Sequence, residues 1–143
     1  MTRFLLLMNY DPGNVDTPML EWDEPDIKAH MQFLSDHLER LRQSGELVEA
    51  QALTWPQHAK VVRASSVSAP VLTDGPYAES KEVLAGYTMV DVESEERALE
   101  IAAEQSAAPG PGGIPIEQPI EVRRVMESDA DVFERASPRG PAA

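Results

Sequence analysis

The stretch that decides the fold is Phe4–Met8, which reads FLLLM: five apolar residues in a row near the start of the chain. An apolar run without alternation is typical of a strand that is buried on both faces. The run is short, and it leads into polar residues at 9–11 without a small-residue cleavage site, so it does not resemble a signal peptide. We therefore predict a central strand whose sheet is covered on both sides.

A long amphipathic helix is predicted after this strand. Glu24-Pro25-Asp26 indicates its start, because proline fits the first turn and acidic side chains are favourable near the positive end of the helix dipole. Its apolar residues follow spacings of four and three, which predicts one apolar stripe; they are Ile27, Met31, Leu34, Leu38 and Leu41. Gly45 is predicted to end the helix, and His30 and His37 are expected at the border between the stripe and solvent.

The remaining pattern repeats this strand–helix–strand order. Strands are predicted at 46–53, 60–63, 70–73, 84–92 and 120–126, and a second helix at 97–107 follows the acidic start at 94–96. Two crossovers through single helices predict an α+β fold, a ferredoxin-like split βαβ sandwich with an extra β-hairpin. Right-handed crossovers place both helices on one face, so a second copy is expected to cover the other face in a homodimer.

Length and composition limit the classes of function. The chain has 143 residues, 12 Lys and Arg against 25 Asp and Glu, and a net charge of -13. This charge repels phosphate, so we expect no nucleic-acid partner, and no segment is long enough to span a membrane. The absence of cysteine excludes thiolate catalysis and disulfides. We expect a cytoplasmic protein with one domain at 1–127 and a flexible C-terminal tail at 128–143 that contains one helical turn near Val132.

The densest cluster of charge is the nonapeptide Asp74–Glu82, DGPYAESKE. In one interpretation it forms a pocket rim, in which Asp74 or Glu82 acts as acid or base, Lys81 binds an anion and Tyr77 stacks on a ligand. In the other, it is a turn whose ion pair positions the next strand at a dimer interface, and we favour this one. The residues predicted for this pocket or interface motif are Asp74, Gly75, Pro76, Tyr77, Lys81, Glu82, Tyr87 and Arg123.

Together with Gly86-Tyr87 and the terminal strand Glu121–Met126, this nonapeptide resembles the YCII-related family in its DGPF branch. Tyr77 in place of Phe and Ser80 in place of Thr are the departures within the nonapeptide. The resemblance extends over about 3–126 and implies a dimeric α+β barrel built from ferredoxin-like protomers. It also implies a pocket with a catalytic His–Asp pair, and a link to extracytoplasmic-function sigma factors.

The histidines do not follow the family's pattern. The resemblance implies a catalytic His on the first helix, and the equivalent position here is Leu34. His30 lies one turn earlier and His37 almost one turn later, so neither matches by position, and a structural role is the more common one for such histidines. Their spacing of seven cannot chelate one metal ion from a single helix, and we expect no metal and no cofactor.

Two hypotheses for function follow. The first is a small-molecule-binding protein that acts as a cofactor-independent enzyme by acid–base chemistry, with Asp74, His30 and His37 as the candidate catalytic residues. The second is a non-catalytic accessory or regulatory protein that binds a sigma factor or another basic protein. The sequence does not indicate a substrate.

Overall fold

The computed structural model describes residues 1–10, 13, 15–75 and 83–134. Its strands and helices are, in chain order, β1 (Thr2–Asn9), α1 (Glu24–Ser44), β2 (Leu47–Ala52), β3 (Lys60–Ala64), β4 (Pro70–Asp74), β5 (Leu84–Val92), α2 (Glu95–Ser106), β6 (Ile120–Arg124) and α3 (Ala130–Phe133). This is the predicted order. The tail prediction for 128–143 stays a prediction, since 135–143 lie outside the described residues.

The main sheet has four strands in the order β2-β5-β1-β6, and every neighbouring pair is antiparallel. β1 and β2 therefore run in the same direction on either side of β5. This is the ferredoxin-like α+β topology that the two helical crossovers predicted. β3 and β4 pair with each other in a separate two-stranded sheet, which confirms the extra hairpin.

Local sequence sets the ends of both long helices. α1 has proline in its first turn and ends at Gly45, which takes a φ of 82° that favours glycine. The Ser94 side chain caps α2 by accepting a hydrogen bond from the backbone N–H of Arg97 at 3.2 Å. Within the described ranges, no helix is both long enough and apolar enough to cross a membrane.

Both helices cover one face of the sheet, where the core lies. Side chains of β1 and β5 alternate between the two faces, and those that face the helices in the middle of the sheet are buried: Phe4, Leu6, Thr88, Val90 and Val92. The core joins residues of the two strands to residues of the two helices: Phe4, Leu6, Val90 and Val92 with Leu41, Ala98, Ile101 and Ala102. Burying apolar side chains of this size contributes about 1.5–3 kcal/mol each, which fixes the helices on this face.

The other face of the sheet, which we call the open sheet face, is formed by Leu5, Leu7, Tyr87, Met89, Glu121 and Arg123. Leu5 and Leu7 are half-buried within this chain. Tyr87 lies opposite Leu7, and Arg123 lies opposite Leu5. A homodimer that covers this face stays a prediction.

The expected position of the two helical histidines was wrong. They are buried rather than at the solvent border: His30 is 8% exposed and His37 is 1% exposed, whereas Met31 of the predicted stripe is 53% exposed. The buried face of α1 is turned toward His30, His37 and Leu41 because α2 and the loop after it pack against that side. Both imidazole rings are therefore buried, at positions that the hydropathy pattern placed at the border with solvent.

Candidate functional site

A cavity of about 790 Å³ lies at the edge of the sheet where β1 and β2 end and β5 begins. Its volume is within the range of about 300–1,000 Å³ that is usual for small-molecule sites. Five segments form its wall: the end of β1 with Tyr10, the loop 15–22, one side of α1, the end of β2 with Trp55, and the start of β5. The loop before β6 adds Ile116 and Gln118.

Aromatic side chains dominate one side of this cavity. The Tyr10 and Trp55 rings lie 5.6 Å apart between centroids, and Trp22 meets the His30 ring edge-on at 5.5 Å. Two hydrogen bonds hold this arrangement: Trp22 Nε1 donates to the Thr17 carbonyl at 2.8 Å, and Tyr10 Oη donates to the Leu53 carbonyl at 3.3 Å. The rings are thus fixed before any ligand arrives.

His30 is the buried titratable side chain on the cavity wall. Its Nδ1 lies 3.0 Å from the carbonyl oxygen of Pro109. A carbonyl can only accept, so Nδ1 carries the proton and donates it. In the neutral ring, Nε2 is then the nitrogen that accepts a proton or a hydrogen bond.

The loop that supplies this carbonyl is tightly folded against α1. The N–H of Gly110 donates to the Ile114 carbonyl at 2.8 Å, and the N–H of Ile116 donates to the Ala108 carbonyl at 3.0 Å. A side chain at Gly110 would meet Ile116 Cγ2 at 2.6 Å, so the close turn requires glycine. The Pro-Gly-rich stretch is therefore a rigid support for His30, where the sequence predicted only a loop.

His37 lies two turns further along α1 and is not on the cavity wall. Its Nδ1 approaches Glu104 Oε2 of α2 at 3.4 Å, and within the described part of the chain neither ring nitrogen has a hydrogen-bond partner. Burial lowers the pKa of His37 below its usual value, and the carboxylate of Glu104 partly opposes this. These contacts are those of a core residue.

The structure places the described part of the nonapeptide away from the cavity wall. Asp74 is exposed at the end of β4 and pairs with Lys60 Nζ at 2.5 Å. The N–H of Gly75 donates to the Ala59 carbonyl at 3.1 Å, and a side chain there would collide with Val61. Pro76, Tyr77, Lys81 and Glu82 lie outside the described residues.

The other two predicted motif residues, Tyr87 and Arg123, lie on the open sheet face. Desolvation raises the pKa of the Tyr87 phenol, and the nearby carboxylate of Glu49 raises it as well. Leu34, the position that the resemblance gave to a histidine, lines the same cavity as His30. The two positions therefore share one site although they do not coincide.

Sequence reasoning missed the aromatic wall of the cavity. Tyr10 follows β1, Trp55 follows β2, and Trp22 precedes α1, so the three rings are far apart in the chain. The signal that was available is topological: parallel strands joined by one helix end at the same edge of a sheet, and this edge often binds ligands. Among the described residues, no group of three or more His, Asp or Glu side chains is placed to hold a metal ion.

A ferredoxin-like sheet with a ligand-sized cavity at one end places this chain in a class of small α+β proteins. Comparison with protein families then identifies it further. The model of the YCII-related domain matches residues 2–117, and the chain belongs to this family. No curated protein matches the sequence.

Proposed function

We propose that this chain is a small-molecule-binding protein that catalyses acid–base chemistry without a cofactor, and that His30 is its proton-transfer residue. One observation carries the proposal: His30 lines a cavity of ligand size while the Pro109 carbonyl occupies its Nδ1. A general base needs a fixed ring with one nitrogen left for the substrate. The Pro109 contact supplies both conditions.

In this proposal, Nε2 of His30 takes a proton from a donor group of the bound molecule. The imidazolium that results keeps its Nδ1–H bonded to the Pro109 carbonyl, whose partial negative charge stabilises the positive ring. The apolar wall strengthens these interactions because it excludes water. The same nitrogen then returns the proton to the product.

We also propose that the open sheet face joins two copies of the chain in a homodimer, with Tyr87 and Arg123 at the interface. Support comes from Leu5 and Leu7, which are only half-covered although they belong to the central strand. The nonapeptide Asp74–Glu82 supports a place in the DGPF branch of the family. In such a dimer, the sheet of the second copy would cover the open sheet face, as the apolar run Phe4–Met8 predicts.

A second candidate function is that of an accessory protein that binds a basic partner such as a sigma factor. The β3–β4 hairpin favours it, because the exposed fractions of Val62, Val71 and Leu72 are 58%, 60% and 64%. An apolar hairpin on a chain of net charge -13 suits a protein surface that is apolar and basic. This candidate does not use the cavity.

An untargeted metabolite-binding screen tests the proposed function. The wild-type protein is compared with His30→Asn, in which the side-chain amide keeps a donor for Pro109 and removes Nε2, and with His37→Leu as the matched control on the same helix. We expect a ligand that wild type and His37→Leu retain and His30→Asn retains weakly. Absence of any ligand, together with capture of a sigma factor through the hairpin, would contradict the enzyme and support the accessory protein.

A further inference from the structure

We propose that the ligand of this cavity is a neutral aromatic molecule that carries a hydroxyl group. This inference rests on the proposed function and specifies the class of ligand that the site takes. It draws on three properties of the described wall: its aromatic surface, its charge and the Nε2 nitrogen of His30, which the Pro109 contact does not use.

The wall is suited to a flat apolar molecule. Tyr10, Trp22 and Trp55 contribute aromatic side chains from three separate segments, and Met8, Met19 and Met31 also line the cavity. Aromatic pairs contribute about 0.5–1.5 kcal/mol beyond the burial of their area, and methionine sulfur makes favourable contacts with ring edges. An aliphatic chain would bury apolar area against this wall but would form no aromatic pair with its rings.

The described part of the wall disfavours an anionic ligand. No Lys or Arg lines the cavity among the residues that the structure describes, so a carboxylate or phosphate would enter without a partner. The net charge of -13 opposes the approach of an anion as well. Asp16, the carboxylate on the described wall, is exposed to water, which weakens its attraction for a cation.

His30, the buried polar side chain of the described wall, calls for a hydrogen-bond donor on the ligand. With Nδ1 of His30 bonded to Pro109, Nε2 of the neutral ring accepts a hydrogen bond. The amide nitrogen of Gln118 is already engaged, since its Nε2 donates to the Asn9 carbonyl at 2.8 Å. A hydroxyl on an aromatic ring offers the donor, and its proton is the one that His30 is placed to take.

Three naphthalene probes that differ only in one substituent test this inference by calorimetric titration near neutral pH. They are 1-naphthol, which is neutral and donates, 1-naphthoate, which is anionic, and 1-naphthylmethylammonium, which is cationic. We expect 1-naphthol to bind at least about tenfold more tightly than either charged probe, the ratio that one good hydrogen bond supplies. 1-Methoxynaphthalene, which lacks the donor, should bind His30→Asn and wild type alike.

Variants locate the binding in the cavity. His30→Asn should weaken the binding of 1-naphthol by about tenfold, and Trp55→Ala, at a half-exposed position, should weaken the binding of all neutral probes. His37→Leu should change nothing. Circular dichroism confirms that each variant is folded.

The outcomes separate this inference from the proposed function. Tighter binding of either charged probe, or no binding of 1-naphthol by folded wild-type protein, overturns the aromatic hydroxyl ligand. The proposed function then survives if the metabolite screen yields a different ligand that depends on His30. Loss of that dependence while 1-naphthol still binds would overturn the acid–base role and leave the ligand class standing.

Discussion

Two histidines on one helix have opposite surroundings in this protein. His30 and His37 are two turns apart, about 10 Å along the axis, and both belong to the buried face of α1. His30 lines the cavity, touches the edge of Trp22 and donates from Nδ1 to Pro109. The His37 ring is buried where α1 faces α2, and its nitrogens lack hydrogen bonds within the described residues.

The difference shows that residue type does not decide the role. At His30, a rigid loop occupies Nδ1 and the residue lines a cavity, which suits proton transfer. At His37, the same ring fills a space in the core, with Nδ1 near the Glu104 carboxylate and no hydrogen bond among the described residues, which suits packing. Each of the following predictions alters one side of this comparison.

The largest effect is expected from His37→Ala. Removing a buried ring that is 1% exposed leaves a cavity between the helices, so the free energy of unfolding should fall by about 2–4 kcal/mol. Urea denaturation measures this change. His37→Leu fills the space without unpaired polar atoms and should stay within about 1.5 kcal/mol of wild type. If alanine were as stable as leucine here, His37 would have no packing role.

The next effect concerns His30→Asn. The variant should keep most of the stability, because the Asn side chain donates to the Pro109 carbonyl, yet it should lose about tenfold in affinity for 1-naphthol. His30→Gln, which places its amide nearer the position of Nε2, is the reciprocal control and should lose more stability than affinity. If His30→Asn and His30→Gln lost the same amount of stability and the same amount of affinity for 1-naphthol, His30 would be only a packing residue.

A smaller effect is the dependence of stability on pH. The pKa of His37 is lowered below 6.5 in the folded protein, so in acid the unfolded chain binds a proton that the folded chain does not. The contribution is present above about pH 6.5 and is lost as the pH falls toward the lowered value. Denaturation between about pH 5 and 8 should show wild type losing stability relative to His37→Leu as the pH falls. A gain of wild-type stability relative to His37→Leu in acid would mean that the pKa of His37 is raised instead.

The smallest effect is expected from Glu104→Gln. The carboxylate of Glu104 raises the pKa of His37 against the larger effect of burial, so its removal should lower that pKa further. An NMR titration of the His37 ring measures the shift, with Glu100→Gln as the control on the exposed side of α2. A rise in the pKa would show that another group controls the charge of His37.

Much of the fold could be predicted from the sequence. Strand β5 was predicted at its observed bounds, and the Glu24-Pro25-Asp26 start and the Gly45 end of α1 are confirmed. These features are local: alternation, capping and turn residues act within a few positions. The class of the sheet followed from the order of the elements and the handedness of crossovers.

The site was less predictable because it depends on contacts between distant residues. Nothing near His30 in sequence indicates Pro109, which lies 79 positions later. The burial of both histidines was missed because a stripe drawn by hydropathy leaves out imidazole, although a ring of this size packs well in a core. Asp74 was chosen for the charge around it, and its described partner is Lys60 of the neighbouring strand.

The most direct test of the His30 site is the state of its ring nitrogens, measured by long-range proton–nitrogen NMR correlation at about pH 8, above the ordinary titration range of histidine. We predict that His30 carries its proton on Nδ1 and that addition of 1-naphthol shifts the Nε2 resonance. The resonances of His37 should stay unchanged. A proton on Nε2 of His30, or a response to 1-naphthol at His37 instead, would contradict the assignment of His30 as the proton-transfer residue.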